Sequence, residues 1–197
     1  DTINFTYSTL VSNNTAGGVA IDAGTGKDTI TKAAGTNAAN AFGITTYTVQ
    51  DGDSLAASYD EITGFDLGTA GIFADSLNFD GTGVAGNTAG TDGTDSGTLK
   101  SHAIASGIIT FDDQDSFGAA VTINSTNLAD ALAYVASNIS TASDTVAFAY
   151  DSTNSGTANG TFVFQQGTND SVVLLTDVVG TSVSATNATT AGLIDIG

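Results

Sequence analysis

The apolar residues of this 197-residue chain come in short bursts parted by Gly, Thr, Ser, Asn and Asp, and that spacing constrains the fold before anything else does. Short apolar bursts between turn residues fold as β-strands. The clearest cover Thr2–Tyr7, Ile44–Val49, Ile108–Phe111, Thr145–Tyr150, Thr161–Gln165 and Ser171–Thr176. Between the last two stands Gln166-Gly167-Thr168-Asn169-Asp170, a Gly-containing loop of hairpin length. One segment has another period. From Leu128 to Ile139 the apolar residues recur at helical spacing, and Ser125, Thr126 or Asn127 is placed to cap the start. The spacing predicts one amphipathic helix over about 127–138, packed on the sheet, with Tyr134 serving packing.

Charge narrows the choice of partner. There are 21 acidic residues against 3 Lys+Arg, a formal net charge of -18, and Glu61 is the one acid that is not Asp. Nucleic-acid phosphates and anionic membrane surfaces both need basic side chains, so neither is an expected partner. A compact fold with this much like charge repels itself, and divalent cations would relieve it. The alternative is an acidic coat that only aids solubility. With no Cys there is no disulfide, zinc-thiolate site or thiol nucleophile, and a secreted domain then needs another staple. No apolar run is long enough for a membrane-spanning helix. No basic, apolar signal segment opens the chain.

The most specific motif is Ala23-Gly24-Thr25-Gly26-Lys27-Asp28-Thr29-Ile30-Thr31. It fits the nonapeptide G-G-x-G-x-D-x-U-x, with Ala for the first Gly. Glycines let the backbone turn and aim carbonyls at an ion, Asp adds a carboxylate, and Ile30 points inward. Calcium takes six to eight oxygens, so ligands from successive turns must converge. Asp-x-apolar recurs as Asp1-Thr2-Ile3, Asp28-Thr29-Ile30, Asp60-Glu61-Ile62, Asp75-Ser76-Leu77 and Asp144-Thr145-Val146.

From Asp60 to Phe79 the chain resembles the D-x-I-x-D-F-D-x-G-x-D-x-L-D-F element of bacterial repeats-in-toxin proteins, with Gly64 where that family often has Asp. The helix at Leu128–Ala136, the strands Val146–Tyr150, Thr161–Phe164 and Asp170–Leu175, and the tail Gly192–Gly197 are similar to C-terminal regions of surface-layer and adhesin-like members. The resemblance implies calcium-triggered folding outside the cell and secretion by a type I route without an N-terminal signal peptide. One full nonapeptide is present and the chain opens on half a repeat, as a piece of a longer precursor would.

The expected fold is mainly β. A short calcium-binding β-roll-like part (1–80) leads through a Gly/Thr/Asp-rich loop or linker (81–98) into a β-sandwich or β-sheet module with one amphipathic helix (99–197). The expected metal ligands are Asp22, Asp28, Asp60, Asp66 and Asp75, with calcium as the cofactor. Asp92 and Asp95, and the patch Asp112-Asp113-Gln114-Asp115, are further acidic groups. His102 is the one His and lies in no nucleophile-elbow pattern, so no catalytic set is expected. The functional expectation is a secreted structural protein. It would be a self-associating subunit or terminal domain of a surface layer, extracellular filament or biofilm adhesin, with cell-surface polysaccharide as a further partner. The alternatives are the secretion and folding module of a larger enzyme of that family, and a calcium-dependent ligand-binding adhesin domain.

Overall fold

A computed structural model describes residues 1–6, 19–33, 45–67, 75–185 and 193–197. Six strands open it: β1 (Thr2–Thr6), β2 (Val19–Asp22), β3 (Thr29–Ala33), β4 (Thr45–Thr48), β5 (Asp60–Thr63) and β6 (Ser76–Asn78). The strands β7 (Gly83–Val84), β8 (Thr88–Ser96), β9 (Leu99–Ala105) and β10 (Ile108–Asp112) precede the helix α1 (Leu128–Asn138). After it come β11 (Asp144–Tyr150), β12 (Gly160–Gln165), β13 (Ser171–Thr176), β14 (Val183–Ala185) and β15 (Leu193–Ile196). The fold is mainly β, as the apolar bursts predict. Tyr7 and Ile44, at the ends of two expected strands, lie outside the described residues.

The first six strands form a two-sheet coil. β1, β3 and β5 lie side by side and parallel in a larger sheet, while β2, β4 and β6 do the same in a smaller one. The chain therefore changes sheet at every step, as in a β-solenoid, and each turn of the coil pairs with its neighbour turn. The pairing register explains the recurring Asp-x-apolar pattern. Ile3 pairs with Ile30, Ile30 with Ile62, and Ile62 with Leu175. On the smaller sheet the matching ladder is Ile21, Tyr47, Leu77 and Ile194. These two ladders, with Val163, Val173, Val183 and Ile196, fill the space between the sheets. Each fully buried Ile or Leu contributes about 1.5–3 kcal/mol.

The larger sheet then changes character. Its order is β1-β3-β5-β13-β12-β11-β10-β9-β8, with β13 parallel to β5 and the predicted β12–β13 hairpin antiparallel. All six residues of β12 are buried because the sheet is covered on both faces here. Phe162 and Phe164 face a core completed by Ala131, Leu132, Tyr134 and Val135 of α1, while Val163 faces the smaller sheet. Phe148 stacks on Phe162 with ring centroids 5.4 Å apart, and Phe111 and Tyr134 extend this aromatic run. Asn127 occupies the cap position of α1, but its side-chain oxygen accepts from the Asn124 N–H at 2.8 Å instead of capping.

The Gly/Thr/Asp-rich run over 81–98 is not a loop throughout. It contains β7, and Thr88–Ser96 forms β8, antiparallel to β9 with two register irregularities. Its backbone partners come from β9 and, at Thr94, from the Asn138 side chain, and most of its side chains are exposed, so composition conceals a strand. Gly93 lies against the Tyr134 hydroxyl, where a Cβ would collide with it. The larger sheet thus takes strands from residues before this run, within it and after it. Among the described residues no helix is long and apolar enough to cross a membrane.

Candidate metal centre

The parallel register brings Asp1, Asp28 and Asp60 to one rung at the start of β1, β3 and β5. A repeated hydrogen bond joins them. The Asp28 N–H donates to Asp60 Oδ1 at 2.9 Å, and the Asp1 amino group donates to Asp28 Oδ1. Each carboxylate thus accepts from the backbone nitrogen of the Asp one coil earlier. The glycines of the nonapeptide make the preceding turn: Gly24 and Gly26 have φ of +76° and +115°, a region that favours Gly. The Gly26 N–H donates to the Asp53 carbonyl, tying this turn to the next coil.

Asp28 and Asp60 are both buried, at 1% and 3% exposure. Among the described residues Asp28 Oδ2 has no hydrogen-bond partner. Burial pushes the Asp60 carboxyl up to about 7, aided by the charges of Asp28 and Asp53 and opposed by the Asp28 N–H and the Asp1 amino group. The Asp60 N–H is held by Ser54 Oγ at 2.7 Å, and Ser54 Oγ donates to the Val172 carbonyl, so the rung is anchored to β13.

No basic side chain serves this pair, because all three of the chain's lysines are engaged elsewhere. Lys27 pairs with Glu61 at 2.6 Å, Lys32 with Asp66 and Asp75 at 2.7 Å each, and Lys100 with Asp115 at 3.3 Å. The Asp1 amino group offsets one charge of the pair, and the second buried carboxylate is costly unless a proton or a bound cation neutralises it.

Asp66 and Asp75 come together differently. Lys32 Nζ lies between them, its side chain buried at 5% and that of Asp75 at 0%. Asp75 Oδ1 also accepts from the Thr45 N–H at 2.8 Å and Oδ2 from the Asp66 N–H at 3.0 Å. An ammonium therefore occupies the place between these carboxylates where a metal ion was expected. Gly64 belongs to this arrangement. Its φ is +82°, and a Cβ there would strike the Lys32 carbonyl, which explains Gly where the resembled element has Asp. Asp22 is exposed and stays local, accepting from the Gly24 N–H at 3.1 Å.

A separate acidic group forms at the other edge of the larger sheet. Carboxylate oxygens of Asp92, Asp95 and Asp115 lie within 4.8 Å of one another, all exposed, an arrangement that could hold a metal ion. It unites the acidic loop and the acidic patch noted in the sequence. Beneath it, burial and the charges of Asp92 and Asp95 push the Tyr134 hydroxyl up to about 12. That hydroxyl donates to the Lys100 carbonyl at 3.1 Å and lies 3.0 Å from His102 Nδ1, and His102 is itself buried. Neighbouring Asp112 instead closes its own loop. N–H groups of Gly118, Ala119 and Gln114 hold its carboxyl down to about 2.

Lys32, Asp53 and Ser54 were missed as parts of these sites. Lys32 lies two residues after Ile30 on β3 and so shares its inward face, and an inward Lys in a strand is a signal that a buried acid waits for it. Comparison with protein-family models, curated proteins and solved structures finds no match.

Proposed function

We propose that this chain is an extracellular calcium-binding structural protein of the repeats-in-toxin kind, a subunit or terminal domain of a surface layer, filament or biofilm adhesin. One observation carries the calcium half of this reading: Asp28 and Asp60 are buried side by side while every lysine is paired elsewhere. The unpartnered Asp28 Oδ2 supports it. Calcium bound there would add to the single positive charge that the Asp1 amino group brings to Asp28, and would brace successive coils. Asp28 and Asp60 are its proposed ligands.

The self-associating half rests on the sheet edges. Among the described residues β1 and β2 pair on one side only, and β1 carries no charged residue. The opposite edge strand, β8, carries Asp92, Asp95 and two irregularities, features that discourage strand addition.

Calorimetric titration of calcium into chelated protein, with particle size followed in parallel, tests both halves. The expected result is binding that disappears in Asp28→Asn/Asp60→Asn, and growth in size with calcium. No heat of binding would overturn the calcium half. A constant monomer at every protein and calcium concentration would overturn the assembly half.

A further inference from the structure

The geometry points to an intramolecular amide bond between Lys32 and Asp75, formed by the chain itself. Lys32 Nζ lies 2.8 Å and 2.7 Å from the two carboxyl oxygens of Asp75. Cγ sits between those oxygens, so nucleophile and carbonyl carbon are already at the separation of about 3–3.5 Å from which bonds form. The Thr45 N–H, 2.8 Å from Oδ1, stands where an oxyanion donor is needed. Asp66 Oδ2, 2.7 Å from Nζ and half-exposed, supplies a proton carrier.

The surroundings disfavour the Asp75 carboxylate charge that this reaction removes. Burial raises the Asp75 carboxyl, against the pull of Lys32 and two backbone N–H groups. Tyr47, buried at 1%, packs on Phe65 with ring centroids 5.7 Å apart, and Phe65 directly precedes Asp66. Amide formation also removes two charges from the interior, where each is poorly solvated.

The step balances without any co-reactant. The Lys32 ammonium passes one proton to Asp66. The Nζ lone pair then attacks Cγ, and the C–N bond forms as the C–Oδ2 bond breaks. The departing oxygen leaves as water, taking the proton back from Asp66 and one more from Nζ. Asp66 ends as it began, a carboxylate. The product ties β3 of the larger sheet to the residue that leads into β6 of the smaller one, 43 positions away. In a chain without Cys, this is a covalent staple built from other residues.

Intact-mass spectrometry of the folded and then denatured wild-type protein tests it. The expected mass is lower than that of the sequence by one water, and proteolysis yields a branched peptide joining Lys32 to Asp75. Lys32→Arg restores the full mass. Asp66→Asn keeps Lys32 beside Asp75 and retards the loss of water at least tenfold. A full sequence mass for wild type incubated in its folded state would overturn the proposal. So would a water loss that fragmentation places at Asp51-Gly52, Asp80-Gly81 or Asp92-Gly93, where cyclisation to a succinimide gives the same mass change.

Discussion

Asp28 gives its main-chain N–H to the Asp60 side chain at 2.9 Å, across 32 residues of sequence. Coil-to-coil pairing at this rung therefore depends on a side chain. Removing the acceptor strands a buried N–H, at a cost of about 1–3 kcal/mol. In chelator, Asp60→Ala should lose stability of that order in urea unfolding. Asp60→Asn keeps an acceptor and removes the repulsion from Asp28, so it should lose less, and calcium should rescue neither variant.

The same residue sets a pH dependence. The folded-state carboxyl of Asp60 is raised to about 7 from an ordinary 3.8. The folded state thus holds a proton that the unfolded chain releases. Its contribution to stability is complete below about pH 4 and is lost as pH rises through about 7. Chelated protein should therefore soften between about pH 4 and 7, by an amount on the order of a few kcal/mol. Thermal melts across that range should show the slope, and Asp60→Asn should flatten it. Asp112 works in the opposite sense: held down to about 2, it stabilises above about pH 4 and fails as pH falls through about 2.

Lys32 neutralises a fully buried acid. Replacing it with Met strands the Asp75 charge, and such losses run to about 3–5 kcal/mol. The double variant Lys32→Met/Asp75→Leu removes both polar ends and, since neither variant can form the cross-link, should be more stable in urea than Lys32→Met by most of what the stranded charge costs. Failure of the double variant to recover would mean that the backbone N–H groups of Thr45 and Asp66 depend on the Asp75 oxygens more than Lys32 does.

Gly64→Ala should be damaging on two counts. The residue has a positive φ, and the new methyl group meets the Lys32 carbonyl. Strain at such a position costs of order 1–3 kcal/mol before the collision is counted. The melting temperature should fall by several degrees, whereas Gly86→Ala, where nothing lies near, should change it little.

The exposed triad offers a contrast. Asp92→Asn/Asp95→Asn/Asp115→Asn removes three like charges from one place. It should leave the calcium response of the coil unchanged and raise stability slightly at low salt. If this variant instead abolished calcium binding, the ion would belong to β8 and not to the coil.

Much of this architecture was visible in the residues, for reasons that differ along the chain. β12 and β13 were legible because their apolar runs are dense and flank a Gly-containing loop. Asp1-Thr2-Ile3, Asp28-Thr29-Ile30 and Asp60-Glu61-Ile62 were visible as a recurrence. Their meaning lay in the pairing register, which no single segment encodes. β8 was hidden because a strand that exposes its side chains needs no apolar pattern. The site was half legible: Asp28 and Asp60 stood out through the nonapeptide and its echo. The place of Asp66 and Asp75 turned on Lys32, whose partners lie 34 and 43 residues further on.

The neighbours of the coil also govern when it can close. β5 needs β13 as its outer partner, and β6 needs β15, which ends at Ile196. A chain emerging in order from its N-terminus would make the first six strands long before either partner exists. Pairings this distant in sequence are slow to form, because the intervening chain must first be confined. During that interval the coil keeps a bare flank in both sheets. Completion of the coil waits on β13 and β15, so its two flanks are closed only once both of those distant strands have been made.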